Sequence, residues 1–405
     1  MVISDVIICD AQGERKGDVR IEEGLITQIG ENLTDHEMIA GSGCYLLPGL
    51  VDTNVRLKDS QLSGKNLESL SRRALKGGVS TVILASDSHP RIDNEITLEF
   101  VQQHRNLANG ATIETTLSAL NESGALSNIA IMLKRGALAV HTSTLTDYNL
   151  ISRIAQYLKM AKRPLFYKAE DKSLFESGVM SDGDAATRLG LPGISPLSEI
   201  VHIAAMIEIA RHFEITIIFK SVTEPRSVEL IAQAAAQGID VQCEVSIHHL
   251  LHSDKACNGF DSDAKINPPL VNAEKQSFLR EALKEGKINS LTALHQPNSD
   301  VHKDITFFDA SFGTTSITEY LPLCYTHLVK SGLVSMSRLI DLASRAPAAQ
   351  AGISRGLIEV GQKGDLVLFD PNTATPVVHH HSLYKNEVLE GKVIMALCRG
   401  EWSHF

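Results

Sequence analysis

A chain of 405 residues, 43% of them hydrophobic, can bury a large core and has room for one barrel plus a satellite domain. Its formal net charge of −10 leaves no broad basic surface, which argues against nucleic acid as a partner. No apolar run approaches the roughly 20 residues that span a bilayer, and Met1-Val-Ile-Ser-Asp5 lacks the basic and apolar regions of a signal peptide, so no membrane association and a cytoplasmic location are expected.

From the amino terminus, Val2-Ile-Ser-Asp-Val-Ile-Ile8, Asp18-Val-Arg-Ile21 and Leu25-Ile-Thr-Gln-Ile29 are short β-rich runs broken by glycines and charged turns, the pattern of a strand meander. Beyond them, apolar runs at 80–84, 137–140, 164–166, 215–219 and 239–243 alternate with segments at 67–76, 148–162, 196–212 and 227–237 whose apolar residues recur at helical spacing. Strands alternating with helices over about 300 residues imply parallel pairing, and a (β/α)8 barrel is the commonest closed solution. A doubly wound open sheet is the rival, but no Gly-x-Gly-x-x-Gly turn follows an early strand. Near the carboxyl terminus Asp365-Leu-Val-Leu-Phe369 and Lys392-Val-Ile-Met-Ala-Leu-Cys398 return to strand pattern. The expected organisation is an α/β chain with a β-rich part at 1–47, a barrel at 48–350 and a second β-rich part at 351–405, the two ends forming one small domain. Cys9, Cys44, Cys243, Cys257, Cys324 and Cys398 are scattered singly, without metal or disulfide spacing, and are expected to be reduced.

The segment Leu47-Pro-Gly-Leu-Val-Asp-Thr-Asn-Val-Arg-Leu-Lys-Asp59 resembles the Pro-Gly-x-x-Asp-x-His-x-His-x-Arg signature that opens the barrel of dihydroorotases and related cyclic amidohydrolases. The similarity continues through Leu191-Pro-Gly-Ile194, Lys265-Ile-Asn-Pro-Pro-Leu270, Phe312-Gly-Thr-Thr-Ser-Ile-Thr-Glu-Tyr-Leu-Pro-Leu323 and Gly364-Asp-Leu-Val-Leu-Phe-Asp-Pro371. It implies an amidohydrolase barrel whose active members hold zinc with imidazoles and a bridging acid. At the positions so implied, this chain carries Asn54 and Arg56 for the two histidines, Thr142 or Ser143 for the bridging acid, Lys168 and Ser221 for two further histidines, and Leu294 for the aspartate that serves as ligand and base. An arginine offers no lone pair, an ammonium repels a cation, and an alkyl group moves no proton. The substrate contacts are altered too: Lys58 replaces the signature arginine, Asp87 stands for an asparagine, and His295 survives from the family's Asp-His-Ala-Pro run.

The resemblance is nearest to a non-catalytic, dihydroorotase-like branch, and it implies a chain without zinc or catalytic residues that associates with itself and with the aspartate transcarbamoylase catalytic chain. Lys168 and Arg56 are expected to fill the emptied metal pocket, Lys168 pairing with Glu170, Asp171 or Asp87. Two other activities remain open at this stage: a cyclic amidohydrolase with relocated ligands drawn from His248, His249, His252 and His295, and a metal-free reaction through a Lys168 Schiff base. His248, His249 and His252 are otherwise read as structural. His379-His-His381 offers imidazoles suited to nickel or zinc but reads as a solvated loop. His89, His141 and His302 are placed in loops around the barrel mouth.

Overall fold

The computed structural model describes residues 1–143, 147–175 and 177–405. Strands β1 (Val2–Asp10), β2 (Gly13–Glu22), β3 (Leu25–Gly30), β4 (Met38–Ala40) and β5 (Tyr45–Pro48) come first. Next are β6 (Leu50–Val55), β7 (Val79–Leu84), β8 (Thr112–Thr115), β9 (Leu117–Ser118), β10 (Val140–Ser143) and β11 (Leu165–Lys168). A two-stranded ribbon, β12 (Met180–Ser181) and β13 (Gly193–Ile194), precedes β14 (Ile217–Phe219), β15 (Val241–Ser246) and β16 (Ser290–Thr292). The chain ends with β17 (Leu366–Pro376), β18 (Val388–Cys398) and β19 (Glu401–His404).

Parallel pairing joins β6 to β7 and β8, and β9 through β10, β11, β14 and β15 to β16. Thr116 bends β8 into β9, and the amides of Leu117 and Leu138 bond to the carbonyls of Ala139 and Thr115, so the two short strands act as one stave of eight. The strands are buried on both faces, which is why they read as continuous apolar runs. Their inward residues, among them Val51, Ile83, Phe166 and Ile218, fill the barrel, while helices such as Gly64–Lys76 press Leu67, Leu70, Ala74 and Leu75 onto the outside. Ser63 caps that helix by accepting from the Asn66 amide.

The barrel closes in an unusual way. Among the described residues no ladder joins β16 to β6. Instead Asp52 on β6 accepts from the Thr292 hydroxyl and the Ala293 amide, each at 2.7 Å, and the Arg56 amide donates to His295 O at 2.8 Å. Gly49, just before β6, is required for contact: a Cβ there would sit 2.2 Å from Ser80 Oγ.

Strands from both termini build the satellite sheet, in the order β19-β18-β17-β5-β1-β2-β3 with β4 against β1. Ile3, Ile8, Val19, Ile26, Leu46, Leu366 and Leu397 form its core. All six cysteines are buried and unpaired, and among the described residues no helix is long and apolar enough to cross a membrane.

Candidate functional site

The carboxyl ends of the barrel strands bring the expected site residues together, but they bind one another. Asn54 Nδ2 donates to Ser221 Oγ at 2.8 Å and to Glu244 Oε1 at 2.9 Å, and its Oδ1 accepts from Arg56 Nη1 at 3.1 Å. Arg56 turns its other edge to Asp87, with Nη2 at 2.8 Å and Nε at 3.0 Å from Oδ2. Burial alone would raise the Asp87 pKa, but the guanidinium beside it wins and holds the carboxyl low. Lys168 Nζ lies 2.9 Å from Glu170 Oε2, and Asn267 Nδ2 donates to Glu170 Oε1 at 3.0 Å. Burial pushes the Lys168 pKa down while Glu170 pulls it back. Of the three acids expected to meet Lys168, then, Glu170 is its direct partner; Asp87 goes to Arg56 and Asp171 to His202 Nε2, at 2.8 Å.

Strand alternation separates Thr142 from Ser143. Thr142 faces outward, among Ile151, Ile154 and Tyr167, and donates to the Ser143 carbonyl. His141 lies on β10 and not, as expected, in a loop; its Nδ1 is 3.2 Å from Ser86 Oγ, and burial lowers its pKa to about 4. Leu294 is buried with φ of 45°, and Ser221 has φ of 52°, so two of the positions matched to the family's ligands hold left-handed backbone without glycine. His295 is buried and neutral, its Nδ1 accepting from the amides of Ser316 and Ile317. Lys58 is exposed and stands apart from the network.

Sequence reasoning missed the centre of the network. Glu244 Oε2 accepts from the Thr53 hydroxyl at 2.7 Å and pairs with Lys220, whose Nζ also reaches Thr53 Oγ1 and lies 4.5 Å from the Phe166 ring centroid. A signal was present: Glu244 and Lys220 are charges inside or at the end of apolar strand runs, where an ion survives only with a partner. Around Lys168 and Glu170 a narrow open cleft continues to Glu199, Glu224 and Pro268.

A divalent cation needs several lone pairs converging on one point. The guanidinium and ammonium groups offer none, Leu294 offers none, and those of Asn54 and Ser221 are engaged with neighbours. The residues present do not fit the family's zinc centre. Nor do the other histidines converge. His249 bonds Ser246 Oγ through Nδ1 and the Pro268 and Pro269 carbonyls through Nε2, while His248 Nδ1 bonds Tyr384 OH at 2.8 Å. The His252 ring packs at 5.1 Å on the same tyrosine. Among the described residues, the single group of three or more metal-ligating side chains in mutual reach is Asp300, His380 and His381.

A closed parallel barrel with a sheet from both termini and ligand positions ringing its mouth defines a cyclic-amidohydrolase type of protein. The chain belongs to the amidohydrolase family, whose model matches residues 45–402. It is 30% identical over 374 residues to a dihydroorotase of Pelobacter propionicus, covering 90% of this chain and 88% of that one. Identity to a dihydroorotase-like protein of Pseudomonas aeruginosa is 29% over 406 residues and covers 96% of each. In structure it matches L-hydantoinase (dihydropyrimidinase) of Arthrobacter aurescens with a TM-score of 0.88 at 21% identity, over 99% of this chain and 95% of that one, a likeness that shows the fold.

Proposed function

We propose that this chain is a non-catalytic member of the dihydroorotase group, a structural subunit that holds no zinc at the barrel mouth and assembles with itself and with an aspartate transcarbamoylase catalytic chain. The observation that carries the first half is the network itself. Arg56–Asp87, Lys168–Glu170 and Lys220–Glu244 put three cation–carboxylate pairs at the mouth, joined by Asn54 and Ser221. Such pairs compensate the local acids without a metal. A reaction through a Lys168 Schiff base needs the neutral amine free to attack; burial lowers the Lys168 pKa in that direction, but Glu170 opposes the shift and holds Nζ at 2.9 Å.

Support for the second half is the retention of a complete barrel and sheet around the altered mouth. An interface that buries more than roughly 1,000 Å² depends on the fold's shape and needs no chemistry in the pocket. The test is to produce this chain and the transcarbamoylase chain separately and together, and to follow size-exclusion mass and carbamoyl-aspartate formation. The expected result is a joint complex with higher transferase activity than the isolated catalytic chain. Transferase assembly and activity indifferent to this chain would refute the partnership.

A further inference from the structure

The loop between β17 and β18, at 377–387, leaves the satellite sheet and lies against the barrel segment that follows β16. Two backbone contacts fix it there: Thr315 N donates to His381 O at 3.1 Å, and Leu383 N donates to Thr314 Oγ1 at 2.9 Å. The solvated loop expected for 379–381 is therefore wrong at its last residue, since His381 is only 9% exposed.

At this junction three side chains aim their donor atoms at one point. His380 Nε2 lies 3.2 Å from Asp300 Oδ1, and His381 Nε2 lies 3.3 Å from the same oxygen. All three ligand atoms fall within 4.8 Å of one another. His381 Nδ1 is 3.1 Å from Oδ1 of Asp263, a buried carboxylate also held by Lys385 Nζ at 2.8 Å. In the neutral tautomer that donates Nδ1–H to Asp263, the buried Nε2 presents a bare lone pair, which no hydrogen bond of good geometry fills. Facing Asp300 Oδ1, it sets one lone pair against another, an arrangement that a cation between them resolves.

We propose that Asp300, His380 and His381 form a binding site for a divalent transition metal of the zinc class, built from none of the residues of the mouth network. The two nitrogen–oxygen spacings fit: with Zn–N and Zn–O lengths of roughly 2.0–2.1 Å, ligand atoms on a tetrahedron lie about 3.3 Å apart. Asp263 supplies the carboxylate behind the histidine that fixes its tautomer in zinc sites. Water takes the remaining position, with Asp304 Oδ1, 3.8 Å from His381 Nε2, in reach as an alternative. Two imidazoles and one carboxylate suit zinc, nickel or cobalt over calcium or magnesium. The bound ion ties the sheet's loop to the segment beyond β16, so its effect is on the joint between the two domains.

The experiment uses the full chain stripped with a chelator and then dialysed. Cobalt(II) and zinc(II) chlorides are titrated in separately, cobalt followed by its visible absorption and zinc by calorimetry, with thermal unfolding recorded at each end point. The expected result is one equivalent per chain, the intense visible bands of four-coordinate cobalt, and a rise in Tm on metal addition. His380→Ala, His381→Ala and Asp300→Asn should each lose the bands and the rise. Asp263→Asn should weaken uptake about 10-fold or more. His212→Ala, an exposed helical histidine, is the control and should change nothing. No uptake, or uptake that these substitutions leave unchanged, overturns the proposal; so does weak uptake reduced equally by His212→Ala, the mark of unspecific binding to surface histidines. His380 has 74% of its side chain exposed, so His380→Ala decides the matter even if His381→Ala fails to fold.

Discussion

The Lys220 ammonium and the Glu244 carboxylate meet inside the barrel with 2% and 0% of their side chains exposed. The pair is bracketed by Thr53 Oγ1, which touches both, by Asn54 on the second carboxylate oxygen, and by the face of Phe166. An ion pair this deep contributes little net stability over an apolar substitute, yet either member alone is a severe liability.

Breaking the pair from one side should therefore be expensive and breaking it from both sides cheap. Lys220→Met alone is expected to lower the unfolding free energy by about 3–5 kcal/mol, whereas Lys220→Met with Glu244→Leu should recover most of that loss. Urea denaturation of the single and double variants measures the difference. Additive losses would show that the two charges are not coupled as the geometry indicates.

Acidification should weaken the fold. Burial holds the pKa values of His141 and His249 at about 4 and that of His295 at about 3, below the ordinary 6.5, and lowers those of His248 and His252. The unfolded chain takes up these protons first, so the stabilisation from neutral histidine is full above pH 6.5 and is lost as pH falls from 6.5 towards 4. Acids oppose the trend, because burial raises Asp52 to about 6 and Glu319 to about 7 and also raises Glu114, Glu199 and Asp254, all of which favour the folded state on protonation. His379, lowered by burial to about 4, joins the five histidines, and the six together outweigh the acids. The melting temperature should fall between pH 6.5 and 5, and His295→Gln should make that fall shallower; a temperature that rises over this window contradicts the assignment.

The wild-type chain is expected to show no hydrolysis of dihydroorotate and no cyclisation of carbamoyl aspartate above the protein-free rate. Leu294→Asp alone should not restore turnover, because Arg56 and Lys168 still occupy ligand positions and Ser221 remains bonded to Asn54. A direct assay with and without added zinc decides this. Turnover by the unmodified chain that a chelator abolishes would mean that the ligands lie elsewhere.

Substitution at the mouth should separate pocket from assembly. Lys168→Ala leaves Glu170 with its Asn267 contact and removes no helix or strand contact of the barrel core. Complex formation with the transcarbamoylase chain, read by size-exclusion mass, is expected to match that of the wild type. Loss of the complex with an unchanged melting temperature would place Lys168 at the interface.

The barrel and the two-ended sheet were legible because their signals are local. Apolar runs such as Val79–Leu84 and helical spacing such as that of Gly64–Lys76 survive in one dimension. Most of the mouth was legible as well, since each altered position sits in a recognisable stretch. What sequence could not give was partnership across the barrel: Asn54 to Ser221 spans 167 positions and Thr53 to Glu244 spans 191. It also misplaced His141, because the apolar run at 137–140 precedes the residues that pair as β10, and it missed the burial of His381, which depends on where the β17–β18 loop lands. Left-handed backbone at Ser221 and Leu294 had no warning in residue type.

Asp52 gives the Pro-Gly-x-x-Asp stretch a meaning apart from turnover. Its carboxylate takes the place of a missing strand ladder, and so the last letter of that motif acts as a clasp on the cylinder. A chain whose mouth residues bind one another is still held to this aspartate, because loosening it opens the seam between first and last stave. Finding the stretch in a sequence thus identifies a hoop that has been fastened, and leaves open whether anything inside still reacts.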